Sequence, residues 1–244
     1  MNARTAMTML TLLCSGLVRA HGGLVDLSVY DRTEGKRLAV YWHEGRAYVV
    51  GKPGNEYQVS VRNRLREDVL TVVSVDGINV ISGEAANPSQ TGYVLSSQHF
   101  YDILGWRKSM AETAAFYFTA LPDSYAARTG RPDNVGVIGV AVFRRKQMPP
   151  PVSMSPSRRE AASDAAGAQR AQEAEARLGT GHGRRESSLA QYAAFERASS
   201  APAETVMLYY DSYQNLLARG IVRESAPIAT LPRAFPGFVA DPQR

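Results

Sequence analysis

The stretch VLTVVSVDGINVISG, residues 69–83, carries the clearest fold signal in the chain. Two runs rich in valine and isoleucine flank the dipeptide Asp76-Gly77. β-Branched residues favour extended backbone, and Asp-Gly tolerates the positive φ angles of a type I′ turn. The stretch therefore predicts a β-hairpin with its turn at Asp76-Gly77.

The same strand pattern extends through residues 21–146, which we expect to form one domain. Short apolar or alternating runs are separated by turn-forming residues such as Glu44-Gly45. The runs are LVDLSVY (24–30), RLAVYW (37–42), AYVVG (47–51), YQVSVRN (57–63), GYVL (92–95), FYDILGW (100–106), AAFYFTAL (114–121) and NVGVIGVAVF (134–143). We expect GYVL and FYDILGW to pair with each other around Ser96-Ser97. About eight short strands with almost no helix predict an antiparallel β-sandwich or jelly roll, and a partly open barrel is the alternative.

Residues 1–20, MNARTAMTMLTLLCSGLVRA, have the pattern of a cleavable secretory signal. Arg4 precedes an apolar run from Met7 to Val18 that is too short to span a bilayer, and the segment ends in small residues at Ala20. We expect cleavage after Ala20 and a mature protein that is periplasmic or extracellular. The alternative is a buried N-terminal helix.

The chain has one cysteine, Cys14, and it lies inside this signal segment. The bulky Leu13 directly before it argues against lipoprotein processing. The mature chain is therefore expected to be free of cysteine, which excludes a disulfide framework, thiolate catalysis and a cysteine-based zinc site.

Charge and hydropathy narrow the classes of partner. The formal net charge is +5, and arginines and acidic residues are spread evenly along the chain without a basic block. We therefore expect no nucleic-acid binding. No later segment is apolar and long enough to predict a transmembrane span.

The C-terminal half changes in composition. Residues 147–178 are rich in proline, serine and alanine and predict a disordered linker or a solvated helix. Residues 179–244 predict a short tail that packs on the sandwich. Within it, SLAQYAAFERAS (188–199) and ETVMLYYDSY (204–213) predict a strand pair, and YQNLLARGIV (213–222) predicts a short helix.

Between linker and tail lies LGTGHGRRE, residues 178–186, with glycines at alternate positions. A phosphate-binding loop would need G-x-G-x-x-G spacing, or a following Lys-Ser/Thr, and neither is present. His182 has no partners nearby in sequence for a metal site, so we predict no metal or cofactor here. The stretch favours a hinge, and His182 remains a candidate binding residue.

The stretch HFYDILGWRKS supplies three more candidate binding residues, Trp106, Arg107 and Lys108. We expect them on a loop after a strand, where a tryptophan beside cations suits a sugar ring or an anionic polymer. The favoured alternative is that Trp106 plugs one end of the sandwich.

Catalytic signatures are missing from the sequence. It contains no G-x-S-x-G elbow and no S-x-x-K, and His43-Glu44 is not followed by the second histidine of a zinc protease. Glu84 and Asp102 could meet across a sheet as a carboxylate pair, although a solvated surface is the favoured interpretation. We predict no catalytic residue.

Five stretches of the sequence are specific enough to indicate a resemblance to a known family. They are SVDGINVISGE, QTGYVL, GWRKS, AAFYFTALPDSYAARTGRPDNVGVIGVAVF and LGTGHGRRE. With them the chain resembles a family of exported proteobacterial proteins of unknown function, over most of residues 24–240. The resemblance implies a bacterial envelope setting and brings no catalytic or binding residues.

Three functional hypotheses follow. The leading one is an exported, non-enzymatic envelope protein that binds an envelope protein or glycan or has a structural role. The second is a hydrolase that acts on envelope polysaccharide through carboxylates brought together by the fold. The third is a chaperone-like sandwich that offers an open edge strand to a partner.

Overall fold

The computed structural model describes residues 20–147 and 177–223. Most of the predicted signal peptide, most of the predicted linker and residues 224–244 lie outside these ranges. The domain boundaries expected there stay predictions. Among the described residues no helix is long and apolar enough to cross a membrane.

The described chain is mainly β-structure. Its fifteen strands are β1 (Ala20–His21), β2 (Val25–Asp31), β3 (Lys36–Arg37), β4 (Val40–His43), β5 (Arg46–Gly51), β6 (Glu56–Asn63), β7 (Val69–Val75), β8 (Ile78–Asn79), β9 (Tyr93–Leu95), β10 (Phe100–Ile103), β11 (Gly105–Arg107), β12 (Glu112–Ala120), β13 (Val137–Arg144), β14 (Leu178–Ser187) and β15 (Glu204–Ser212). The helices are α1 (Tyr125–Arg128) and α2 (Tyr213–Ala218).

The strands form two sheets. The first runs β1-β2-β6-β12-β11, with β3, β10 and β14 paired to strands along this path. The second runs β4-β5-β15-β13-β7-β8, with β9 paired to β7. Every pair is antiparallel except β5–β15. The predicted fold class, a mainly β protein with antiparallel sheets, is confirmed.

One apolar core lies between the two sheets. Its members alternate with outward residues along each strand, as expected for two sheets packed face to face. Fully buried members include Val25, Leu27, Val59, Phe116 and Phe118 from the first sheet and Val49, Val75, Ile138, Val140 and Leu208 from the second. This shared core is what makes the arrangement a sandwich.

The hairpin predicted at residues 69–83 is present, with a shorter return strand than expected. Asp76 and Gly77 have φ angles of 53° and 74°, as the predicted turn requires. β8 ends at Asn79 because the buried Asn79 side chain accepts a hydrogen bond from the amide of Ile81, at 2.8 Å, and turns the chain.

The expected pairing between residues 92–95 and 100–106 is wrong. β9 pairs with β7 in the second sheet, whereas β10 pairs with β6 in the first. Trp106 and Arg107 also lie in a strand, β11, where we expected a loop. Gly105 makes this possible because its Cα lies against β12, where an added Cβ would be 2.0 Å from the carbonyl oxygen of Ala114.

The C-terminal segment is built into both sheets. β14 pairs with β12 in the first sheet, and β15 lies between β5 and β13 in the second. The expected partner of β15, residues 188–199, contains no strand. The predicted short helix is α2, and Ser212 caps its first turn by accepting from the amide of Asn215.

Candidate functional site

The glycine-rich stretch 178–186 forms most of β14, so the expected hinge is wrong. At its glycines, atoms of neighbouring residues occupy the space that a side chain would need. A Cβ on Gly181 would lie 2.2 Å from the ring of Tyr117, and one on Gly183 would lie 2.7 Å from the carbonyl oxygen of Ala115. These glycines are explained by close packing of β14 on β12 rather than by phosphate binding.

Asp76, in the turn of the 69–83 hairpin, has its carboxylate buried at the edge of the core. One carboxylate oxygen accepts from the hydroxyl of Tyr210 and, at 2.9 Å, from the amide of Gly136. The other accepts from the amide of Thr180 at 2.8 Å. A residue that the sequence explains by its turn alone is thus also a centre of buried hydrogen bonding.

The hydroxyl of Thr180 extends this network across the sandwich. Its oxygen lies 2.5 Å from the hydroxyl oxygen of Tyr57 and 2.6 Å from that of Tyr210. Tyr57 and Thr180 belong to the first sheet, and Tyr210 and Asp76 to the second. We call these four residues the polar bridge.

Burial governs the protonation of the polar bridge. It raises the pKa of Asp76 to about 6, although the donors around the carboxylate act in the opposite direction. Burial and the nearby Asp76 raise the pKa of Tyr57 and Tyr210 well above the usual range. The tyrosines therefore keep their protons at neutral pH and serve as hydrogen-bond partners.

A cleft of about 820 Å³ opens beside the polar bridge. Gly136 and Tyr210 line the cleft and also hydrogen-bond to Asp76. Its other walls come from the neighbouring strands β5 and β15, from α2 and from residues 133–137. We call it the arginine–tyrosine cleft, for the side chains described next.

Two tyrosines that are partners in the parallel β5–β15 pair form the aromatic wall. The rings of Tyr48 and Tyr209 have their centres 5.4 Å apart. The guanidinium of Arg46 lies 5.8 Å from the centre of the Tyr209 ring, and that of Arg219 lies 5.3 Å from that of Tyr48. Tyr48 is buried and Tyr209 is partly exposed, so Arg46 and Tyr209 are the accessible pair.

Three arginines and two carboxylates, Asp133 and Asp211, line the cleft. Asp211 is already engaged: it accepts from the amide of Ser212 at 2.8 Å and from Asn215 Nδ2 at 2.7 Å. Within the described residues, neither Arg46 nor Arg177 has a carboxylate within 4.0 Å. Uncompensated guanidinium groups beside an aromatic ring suit an anionic ligand that contains a ring.

A second cleft, of about 670 Å³, has charges that compensate one another. Glu34 lies 2.6 Å from Lys36 and 2.9 Å from Lys52, and hydrogen bonds from the two ammonium groups hold its pKa at about 2. The linings of the two clefts carry the same formal charge, three cations and two carboxylates each, but the arginine–tyrosine cleft places two guanidinium groups over aromatic rings and is therefore the stronger candidate.

Trp106 lies in β11 and is buried, so the loop position expected for it is wrong. Its indole N–H donates to the carbonyl of Gly181 at 3.1 Å, and its ring meets Phe116 edge to face. It also contacts Tyr125, with ring centres 4.8 Å apart. Trp106 is therefore a residue of the apolar core.

The other predicted binding residues lie in the same neighbourhood. His182 contacts Tyr125, with ring centres 5.7 Å apart, and burial together with nearby Lys108 lowers its pKa. Arg107 has a structural role, because its guanidinium donates hydrogen bonds to the hydroxyls of Tyr93 and Ser188. Lys108 is exposed. The structure thus brings these residues together around Trp106, and their binding role stays a prediction.

The carboxylates considered from the sequence lie in different surroundings. Asp102, in β10, accepts from Ser60, whereas Glu84 follows β8 of the other sheet and lies 3.4 Å from Gln90 Nε2. Among residues 20–147 and 177–223, no group of three or more histidine, cysteine or acidic side chains is arranged to hold a metal ion.

The residues of the arginine–tyrosine cleft were missed by reasoning from the sequence. Tyr48 and Tyr209 are 161 positions apart and meet only because β15 inserts beside β5. The paired tyrosines at 209 and 210 were visible in the sequence. The sequence around them does not show that Tyr209 faces the cleft and Tyr210 the core.

Comparison of the chain with protein-family models, with curated proteins and with solved structures finds no match. The geometry of the site is therefore the basis for the functional argument.

Proposed function

We propose that this chain is an exported envelope protein that binds an acidic saccharide in the arginine–tyrosine cleft without transforming it. The observation that carries the proposal is the accessible pair formed by Arg46 and Tyr209, whose guanidinium and ring centre are 5.8 Å apart. An aromatic ring stacks on the apolar face of a sugar, and a guanidinium binds its carboxylate. The signal pattern of residues 1–20 supports export.

The cleft also supports a ligand held in a defined orientation. Its aromatic wall is backed by α2, and Arg219 donates to the hydroxyl of Tyr48 at 3.4 Å. The amide of Gly136, which also lines the cleft, donates a hydrogen bond to Asp76 and so connects the cleft to the buried core. Groups positioned in this way lose little freedom on binding.

The test is titration calorimetry of the purified protein with a trisaccharide of galacturonic acid and with its uncharged methyl ester. We expect the acid to bind and the ester to bind at least tenfold more weakly. Arg46→Gln should weaken binding of the acid by roughly tenfold or more, as loss of a charge-assisted hydrogen bond does. Arg177→Gln should act in the same direction.

Arg66→Gln is the matched control, because it removes the same charge from an exposed position between β6 and β7. It should leave binding unchanged. Equal affinity for acid and ester, or equal effects of Arg46→Gln and Arg66→Gln, would contradict the proposal.

Incubating the protein with the same trisaccharide distinguishes binding from hydrolysis. We expect the number of reducing ends to stay constant, and an increase would contradict the non-enzymatic part of the proposal. Asp133 and Asp211 are the carboxylates in the cleft, so they would be the first residues to replace in that case.

Strand addition to a partner is less well supported. Within the described residues β14 pairs on one side only, with β12, and its half nearest residue 187 reads HGRRES. An edge suited to strand addition by an apolar partner would be long and apolar, and this one is charged.

A further inference from the structure

Three apolar side chains project from one rim of the first sheet. Met110 lies at the tip of the β11–β12 hairpin and is exposed. Leu189 and Tyr192 follow β14 and are 82% and 93% exposed. Exposed apolar side chains scattered singly are ordinary, whereas several at one rim mark a candidate interaction surface. We call Met110, Leu189 and Tyr192 the apolar rim.

Backbone hydrogen bonds hold the apolar rim together. The amide of Ala190 donates to the carbonyl of Met110 at 2.8 Å, and the amide of Ser188 donates to the carbonyl of Ala111 at 2.8 Å. Arg107 adds a bond to the hydroxyl of Ser188. Residues 188–190 and the hairpin tip therefore form one surface, although they are far apart in sequence.

Two cations lie beside the apolar rim. Lys108 is two residues from Met110, and within the described residues no carboxylate lies within 4.0 Å of it. Arg185 lies 3.5 Å from Glu112, which partly compensates it. The rim thus combines apolar tips with the uncompensated cation Lys108.

We propose that the apolar rim docks the protein on an anionic lipid surface. The tips of Leu189 and Tyr192 would enter the boundary between headgroups and acyl chains, and Lys108 would meet the headgroup phosphates. Leucine inserts in the apolar layer, tyrosine favours the interface, and each cation near an anionic membrane adds attraction.

The geometry favours lipid over a protein partner. A protein interface has a packed, contiguous apolar centre with a polar margin. Here Leu189 and Tyr192 are so exposed that they pack against little of the protein. A fluid lipid surface accommodates such tips without a complementary shape.

The test is sedimentation of the purified full chain with vesicles of phosphatidylglycerol mixed with phosphatidylcholine, and with vesicles of phosphatidylcholine alone. We expect the anionic vesicles to bind the protein about tenfold more tightly. Leu189→Ser with Tyr192→Ser should reduce binding to the anionic vesicles by roughly tenfold or more. Lys108→Gln should reduce the preference for them.

The matched control is Trp42→Ser with Met207→Ser. Both residues are exposed apolar side chains, 51% and 53% accessible, and lie in the second sheet. All variants share the same N-terminal segment, so any vesicle binding by that segment is common to them, and circular dichroism checks that each is folded.

Two outcomes would overturn the proposal. One is vesicle binding that the rim variant and the control variant reduce equally. The other is self-association of the protein without lipid that the rim variant abolishes while vesicle binding persists, which would assign the surface to a second copy of the chain.

Discussion

The 69–83 hairpin and strand β14 meet at the hydrogen bond between Asp76 and Thr180, and they use glycine in opposite ways. In the hairpin, Gly77 supplies a positive φ angle of 74° for a local turn. In β14, Gly181 and Gly183 are extended and leave room for atoms of β12. A turn glycine is determined by its own backbone, whereas a packing glycine is determined by a neighbour distant in sequence.

The largest expected effect concerns the hairpin side of this contact. Asp76→Ala removes the acceptor for Tyr210, Gly136 and Thr180 and leaves buried donors unpaired. We expect a loss of about 4 kcal/mol of unfolding free energy, measured by urea denaturation, because each unpaired buried group costs roughly 1–3 kcal/mol. Asp123→Ala, at an exposed position, should cost less than about 0.5 kcal/mol. Similar losses for both variants would show that the polar bridge contributes little.

The next effect concerns the pH dependence of stability. The pKa of Asp76 is raised from 3.8 to about 6, so the native state binds its proton more tightly than the unfolded state does. Its contribution to stability is therefore fully present below about pH 4 and is lost as pH rises through about 6. A shift of this size corresponds to about 3 kcal/mol.

Asp76→Asn provides the reference for that measurement, because it cannot titrate. Between pH 4 and pH 7.5, the unfolding free energy of the wild type relative to this variant should fall by about 2.4 kcal/mol. A difference that stays constant with pH, or that rises, would show that the buried carboxylate is ionised throughout the range.

The smallest effect distinguishes positions within β14. A Cβ on Gly179 would lie 2.6 Å from Cβ of the buried Ser124, which cannot move aside. Gly179→Ala should therefore cost about 2 kcal/mol, typical of overpacking. Gly181→Ala should cost less than about 1 kcal/mol, because the ring of Tyr117 can rotate outward. Thermal unfolding measures both, and adding Tyr117→Ala should relieve only the second; equal costs would remove the packing explanation.

The sequence predicted features that depend on neighbours along the chain. The turn at Asp76-Gly77 was found where expected. The alternation in β12 that turns Phe116 and Phe118 inward and the cap of α1 by Ser124 are likewise features of local sequence. In each case the signal is a local backbone preference or a two-residue period.

Features that depend on distant pairings were not predictable. Residues 178–186 were interpreted as a hinge because they lie between the predicted linker and the tail, and the missing signal was the proximity of Tyr117. The arginine–tyrosine cleft needs Arg46 and Tyr209 side by side, which only the insertion of β15 provides. A partly exposed tyrosine in a strand does not reveal which strand will lie next to it.

That insertion also constrains how the molecule is made. β5 ends at residue 51, but its neighbour β15 begins only at residue 204 and is therefore synthesised after β13. Contacts so distant in sequence predict slow folding, since a long loop must close before they form. Until β15 arrives, β5 and β13 each present an open, apolar strand edge of the kind that promotes aggregation. A chain truncated before residue 204 would keep both edges, so the last strand of the described residues is the one that protects the second sheet.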